Sequence, residues 1–211
     1  MTKNILYLGS QSKARQKLLD LAKISYQIIE HSSDECGIDT TGSFNEYVLA
    51  IARHKMKSIT LPSPETTQSK TIFVLTADTL MRTEKTKQIL GKPTDKNHAK
   101  QMLALLCLER AELVTGCCLD QKNYIDTKWV TSKTNHWTTP ATLSFCVATD
   151  MVDRYFEEMP HAMNACGAGI IEDFGLNFLK DAHGSFTAIF GLPLFELRTA
   201  LHAIGFFEQT S

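Results

Sequence analysis

Apolar residues fall in two rhythms along the chain, and the two alternate. Ile5-Leu6-Tyr7-Leu8 is a short unbroken apolar run that stops at Gly9-Ser10-Gln11-Ser12, which predicts a buried strand leaving for a polar turn. Ser12 then offers an N-cap for a helix whose apolar face is Leu18, Leu19, Leu21 and Ala22. Phe44, Val48, Ile51, Ala52 and Met56 repeat at helical spacing and predict a second helix. Residues 61–70, with Pro62 and Pro64 among Thr and Ser, read as a loop. A second buried strand, Ile72-Phe73-Val74-Leu75, is expected to end at Ala77-Asp78-Thr79. After a charged turn over residues 82–87, Asp95 caps a helix packing through Ala99, Met102, Leu103 and Leu106. Strands are predicted at 113–119 and 142–148, with a short helix over 150–158. The last third alternates glycine turns with apolar runs, and Pro193 suits the first position of a C-terminal helix. Strands interleaved with helices give an α/β chain, a mixed sheet with flanking helices, in a single domain over residues 1–211.

Composition narrows the partners. The chain has 22 Lys and Arg against 23 Asp and Glu, with 43% hydrophobic residues, which is ordinary for a globular protein. This balance disfavours a nucleic-acid polymer as partner, because phosphate-backbone binding needs clustered cations. The charge is uneven, though: residues 1–110 carry 16 basic and 11 acidic residues, whereas 111–211 carry 6 and 12. None of the six cysteines shows Cys-x-x-Cys spacing, and no pattern resembles a disulfide framework. No stretch approaches the ~18 to 20 apolar residues of a membrane span. The expectation is a reduced, cytoplasmic protein with no membrane partner.

Candidate chemistry begins at Gly9-Ser10-Gln11-Ser12-Lys13-Ala14-Arg15. A strand, a turn of small residues and a capped helix gather free backbone N–H groups, which suits an anion, and Lys13 and Arg15 add charge. A capped helix with solvated Lys13 and Arg15 is the alternative. Asp78 at a strand end has two readings, an ordinary turn residue or a carboxylate placed for Mg²⁺ or for general-base work. Lys92 in Leu-Gly-Lys-Pro sits on a loop stiffened by Pro93, while Lys55 and the Asp34-Glu35 pair are ambiguous alone. The seven histidines show no metal-ligand spacing.

Taken together and in order, these blocks resemble the Maf family of nucleoside triphosphate pyrophosphatases. Residues 8–19 are similar to its Leu-Ala-Ser-x-Ser-Pro-Arg-Arg block, and Asp34-Glu35 to its Asp-Glu pair. Ala52-Arg53-His54-Lys55, Ala77-Asp78-Thr79 and Leu90-Gly91-Lys92-Pro93-Thr94-Asp95 also match, as do Val114-Thr115-Gly116 and Gly191-Leu192-Pro193. The resemblance implies the inosine triphosphate pyrophosphatase-like architecture, two lobes around a nucleotide cleft, often as a homodimer. It implies cleavage of a nucleoside triphosphate to the monophosphate and pyrophosphate. Catalytic roles would fall to Asp78, Lys55, Lys92 and Arg15, and substrate contacts to Ser10, Ser12, Lys13, Thr79 and Glu172. A divalent metal, Mg²⁺ or Mn²⁺, would be held by Asp78 and Glu35.

Departures from the family pattern carry information. Lys13-Ala14 replaces Pro-Arg, Cys107-Leu108-Glu109-Arg110-Ala111 replaces a Ser-Gly-Arg-x-His segment, and residues 165–173 lose a lysine and exchange a glutamine for Glu172. A carboxylate only accepts hydrogen bonds, so Glu172 suits the adjacent N–H donors of a guanine-type edge, as in 7-methyl-GTP. Thr79, by contrast, follows the aspartate as in the branch acting on dTTP and UTP. A third possibility, which the altered segments would suit, is a catalytically weak nucleotide-binding regulator of cell division.

Overall fold

The computed structural model describes residues 4–32, 38, 42–67 and 69–208. In chain order its elements are β1 (Leu6–Leu8), α1 (Lys13–Leu21), β2 (Tyr26–Ile28), α2 (Phe44–Lys57), the single turn α3 (Pro64–Thr67), β3 (Thr71–Thr83) and β4 (Ile89–Leu90). There follow α4 (Lys96–Leu108), β5 (Ala111–Ile125), β6 (Lys128–Phe145), α5 (Val152–Glu158), β7 (Leu179–Gly184), α6 (Phe186–Ile189) and α7 (Leu194–Ala203), with 3₁₀ turns between α5 and β7. The strands form a mixed sheet in the order β2-β1-β3-β5-β6-β7, and β4 pairs with β3. The α/β class expected from the sequence is therefore the observed one. No helix among the described residues is long and apolar enough to cross a membrane.

The chain divides into two compact units. The first comprises residues 1–78, 115–139 and 190–211. Here β1 pairs in parallel with β2 on one side and β3 on the other, Leu8 lying opposite Ile28 and Leu75. The connection from β1 runs one way through α1, and the connection from β2 returns past β1 through α2. Right-handed crossovers in opposite directions put their helices on opposite faces. The packing agrees. Leu6, Leu8, Phe73, Leu75 and Ala77 pack with Leu18 and Leu19 of α1 and Leu197 and Leu201 of α7. Tyr7, Ile72, Val74 and Cys118, pointing the other way, pack with Met56 of α2.

The second unit comprises residues 79–114 and 140–189. β4 lies antiparallel to the end of β3, with Met81 opposite Leu90, and β7 lies antiparallel to β6. Tyr155 of α5, fully buried, is ringed edge-on by Phe145, Phe156 and Phe178.

Local signals account for most boundaries. Ser12 caps α1 by accepting from the Arg15 N–H at 3.4 Å, and Asp95 caps α4 by accepting from His98 at 2.9 Å. Ser43 and Glu46 close a reciprocal capping box on α2, a signal the sequence reading passed over. Five expectations change. Leu21 and Ala22, expected on the apolar face of α1, are exposed, because the helix ends at Leu21 and Ala22 is its C-cap. β3 does not end at Asp78 but continues to Thr83, because Met81 and Arg82 find ladder partners in β4. The strand expected at 113–119 lies within β5, and the one expected at 142–148 is the end of β6, which stops at Phe145; the two long strands are joined by an Asp126-Thr127 turn, whose φ angles of 47° and 65° are those of a tight hairpin. The 61–70 loop contains one helical turn. Pro193 occupies the N-cap of α7 and not its first helical position.

Candidate functional site

At the carboxyl end of β1 the neighbouring connections leave toward opposite faces, the place where open α/β sheets bind ligands. Ser10 lies two residues beyond Leu8 there, and Asp78 lies three beyond Leu75, the residue paired with Leu8. Gly9 continues the pairing by donating its N–H to the Leu75 carbonyl at 2.8 Å. Alternation along β3 turns Ile72, Val74, Thr76 and Asp78 toward α2. Thr76 Oγ1 donates to the Ala52 carbonyl at 2.7 Å, which fixes that helix one turn before Lys55. Lys55 Nζ consequently reaches Asp78 Oδ1 in an ion pair whose side chains are only 13% and 11% exposed.

Arg15, near the same strand ends, is also buried, at 8% exposure. Its Nε donates to the Gly191 carbonyl at 2.8 Å and its Nη1 to Ser10 Oγ at 2.9 Å. Ser10 Oγ also accepts from the Ser12 N–H at 3.3 Å, so its own hydroxyl hydrogen remains to be given. Cys117 lies near Arg15; burial pushes its thiol up to about 12, against the pull of that guanidinium. Lys13 is exposed on the first turn of α1. The first unit thus brings together Ser10, Ser12 and Arg15 as one group and Lys55 and Asp78 as another, at adjacent strand ends.

In the second unit, Lys92 is exposed on the loop after β4, while its neighbour Pro93 is buried. Thr79 and Glu172 are half-buried. Residues 166–167 tie these segments together. The Cys166 thiol donates to the Thr79 carbonyl at 3.2 Å, and the Gly167 N–H donates to the Gly91 carbonyl at 2.9 Å. Glu35, expected as a metal ligand, lies outside the described residues, as does Asp34. Among the described residues no group of three or more His, Cys, Asp or Glu side chains is arranged to hold a metal ion. Asp78 is the carboxylate that these strand ends offer to a hard cation. That donor set fits Mg²⁺, which commonly takes one or two carboxylates plus substrate phosphates.

Sequence reasoning missed the Gly191 carbonyl as a partner of Arg15 and Thr76 as the tie to α2. Each depends on residues far apart in the chain, 176 and 24 positions respectively, and no local pattern marks them.

The chain is 30% identical over 203 residues to a dTTP/UTP pyrophosphatase of Bacillus pumilus, covering 96% of this chain and 97% of that protein. A dTTP/UTP pyrophosphatase of Clostridium botulinum is also 30% identical, over 205 residues, with 96% and 98% covered. One of Acholeplasma laidlawii is 29% identical over 190 residues, with 90% and 91% covered. The family profile described as Maf-like protein matches residues 5–204, so the chain belongs to the Maf-like protein family.

Proposed function

We propose that this protein hydrolyses a nucleoside triphosphate to the monophosphate and pyrophosphate. The observation that carries the reading is the pairing of buried Arg15 and largely buried Lys55 with Ser10 and Asp78 at the ends of adjacent parallel strands. Buried cations are costly unless paired, and here each is held with a polar group that an incoming phosphate can also meet. Ser10 and the α1 N-terminus hold phosphate oxygens, and Arg15, Lys55 and Lys92 neutralise the charge that grows on them during cleavage. Ser12 and Lys13 support the same phosphate chain. Asp78 orients or deprotonates the attacking water. Asp78, with Glu35 as the expected second ligand, would hold Mg²⁺ or Mn²⁺, which when bound supplies Lewis-acid neutralisation of the phosphates.

For the base, Glu172 supports a guanine-type edge such as that of 7-methyl-GTP, since a carboxylate accepts from adjacent N–H donors. A dTTP/UTP preference is the second reading, favoured by Thr79 and by the names of the relatives. The test is pyrophosphate release from a panel containing 7-methyl-GTP, GTP, dTTP and UTP, with Mg²⁺ or Mn²⁺, for the wild type and Asp78→Asn. Turnover abolished by Asp78→Asn is the expected result. No turnover of any nucleotide, with binding retained, would favour a nucleotide-binding regulator instead. Turnover of dTTP and UTP with 7-methyl-GTP ignored would remove only the reading of Glu172.

A further inference from the structure

The segment that carries Glu172 is held in a conformation its own residues disfavour. Ala168 and Asp173, neither a glycine, adopt φ angles of 54° and 47°, and Gly167 adopts 65°. Such backbone persists only where its surroundings impose it, and it concentrates at sites where a group must be presented in one orientation. Here Tyr155 imposes it. Its hydroxyl donates to the Ala168 carbonyl at 2.7 Å and accepts from the Ile170 N–H at 2.8 Å. Both bonds lie within four residues of Glu172. From the other side, Gly175 is packed so closely that a Cβ would stand 1.9 Å from the Ile170 carbonyl oxygen. Burial pushes the Tyr155 hydroxyl up to about 12, so it stays neutral and keeps its proton for Ala168.

We propose that Tyr155 is a positioning residue for base selection. By clamping residues 168–170 it fixes where Glu172 stands, without touching the nucleotide. This rests on the pyrophosphatase reading above and deepens its account of the base.

The experiment uses the full chain and the variants Tyr155→Phe, Gly175→Ala, Glu172→Gln and, as a packing control, Phe156→Leu. Phe156 packs edge-on against Tyr155 at 5.3 Å between ring centroids and makes no bond to the loop. The readouts are the ratio of kcat/KM for the best and a disfavoured nucleoside triphosphate, and hydrogen exchange of the Ile170 amide. Tyr155→Phe and Gly175→Ala should each lower the selectivity ratio about fivefold, the factor one neutral hydrogen bond supplies. Tyr155→Phe should also speed exchange at Ile170, while Phe156→Leu lowers stability and leaves the ratio intact. An unchanged ratio in a folded Tyr155→Phe, or equal losses for both substrates, overturns the proposal. So does unchanged Ile170 exchange, which reports even if no nucleotide is turned over. If Tyr155→Phe shifts the ratio and Glu172→Gln does not, the positioning role stands and Glu172 is not the reader.

Discussion

Replacing Lys55 with Met removes one member of a buried pair and leaves the other in place. The methionine stem fills nearly the same space, so the dominant change is that the Asp78 carboxylate loses its counter-ion. Stranding one charge of a buried pair costs about 3 to 5 kcal/mol. Because both side chains retain about a tenth of their exposure, the low end applies. A loss of about 3 kcal/mol shifts Tm by roughly 6 to 12 °C in a chain of this size. The assay is equilibrium urea unfolding of the nucleotide-free protein, followed by the fluorescence of Trp129 and Trp137. The decisive arm is the double variant Lys55→Met with Asp78→Asn, in which neither side chain is charged. It should recover at least half of the loss seen in Lys55→Met alone, giving a coupling of about 1.5 kcal/mol or more. If Lys55→Met costs less than about 1 kcal/mol, or the two substitutions simply add, the pair is not a buried ion pair in solution and the account of the site is wrong.

Thr76→Val should cost about 1 kcal/mol in the same assay, because it keeps the shape and removes only the bond to Ala52; a neutral outcome would mean that bond does not hold α2. Asp120 accepts from Lys122 and Thr134, each at 2.7 Å, so Asp120→Ala strands a buried ammonium and should cost about 3 kcal/mol. Cys117 and Cys118 are buried, with thiols pushed up to about 12 and about 11, whereas Cys146 is exposed. Mass spectrometry after brief alkylation of the native protein should therefore show Cys146 modified and Cys117 and Cys118 spared. The same burial predicts a pH dependence. The folded pKa of Cys117 lies above its ordinary value of 9.0, so the stability linked to its neutral form is complete below pH 9 and is lost as pH rises toward 12. Cys117→Ala should show a shallower alkaline decline in urea-unfolding free energy; an equal decline in both proteins would contradict this.

Periodicity made α2 and α4 legible, and Ser12 and Asp95 marked two caps, because these signals are local; the equally local Ser43 capping box was overlooked. Phe44, Val48, Ile51, Ala52 and Met56 are all buried on α2, and Ala99, Met102, Leu103 and Leu106 on α4. Edges of the sheet were harder to see. Residues 128–139 are mostly polar, and their strand is set by pairing across a hairpin and not by an apolar rhythm. β2 was missed for a similar reason, since a three-residue strand with an exposed Gln27 leaves little pattern. Of the site, each candidate was visible as a residue type at a turn, but the partners were not. Nothing near Lys55 in the sequence points to Asp78, and nothing near Arg15 points to Gly191. Those links come from strand order, which brings segments together only after the chain has folded.

The core that buries Leu6 and Leu8 is closed by Leu197, Leu201 and Phe206, and Asn4 donates to the Phe206 carbonyl at 2.7 Å. A ribosome adding about 5 to 20 residues per second therefore releases β1 many seconds before the helix that covers it exists. Until then one face of the nascent sheet, with Phe73 and Leu75, has no α7 against it. Nascent-chain lengths that stop before residue 194 should consequently be the ones that chaperones hold and proteases cut, and resistance should arrive abruptly once α7 clears the exit tunnel.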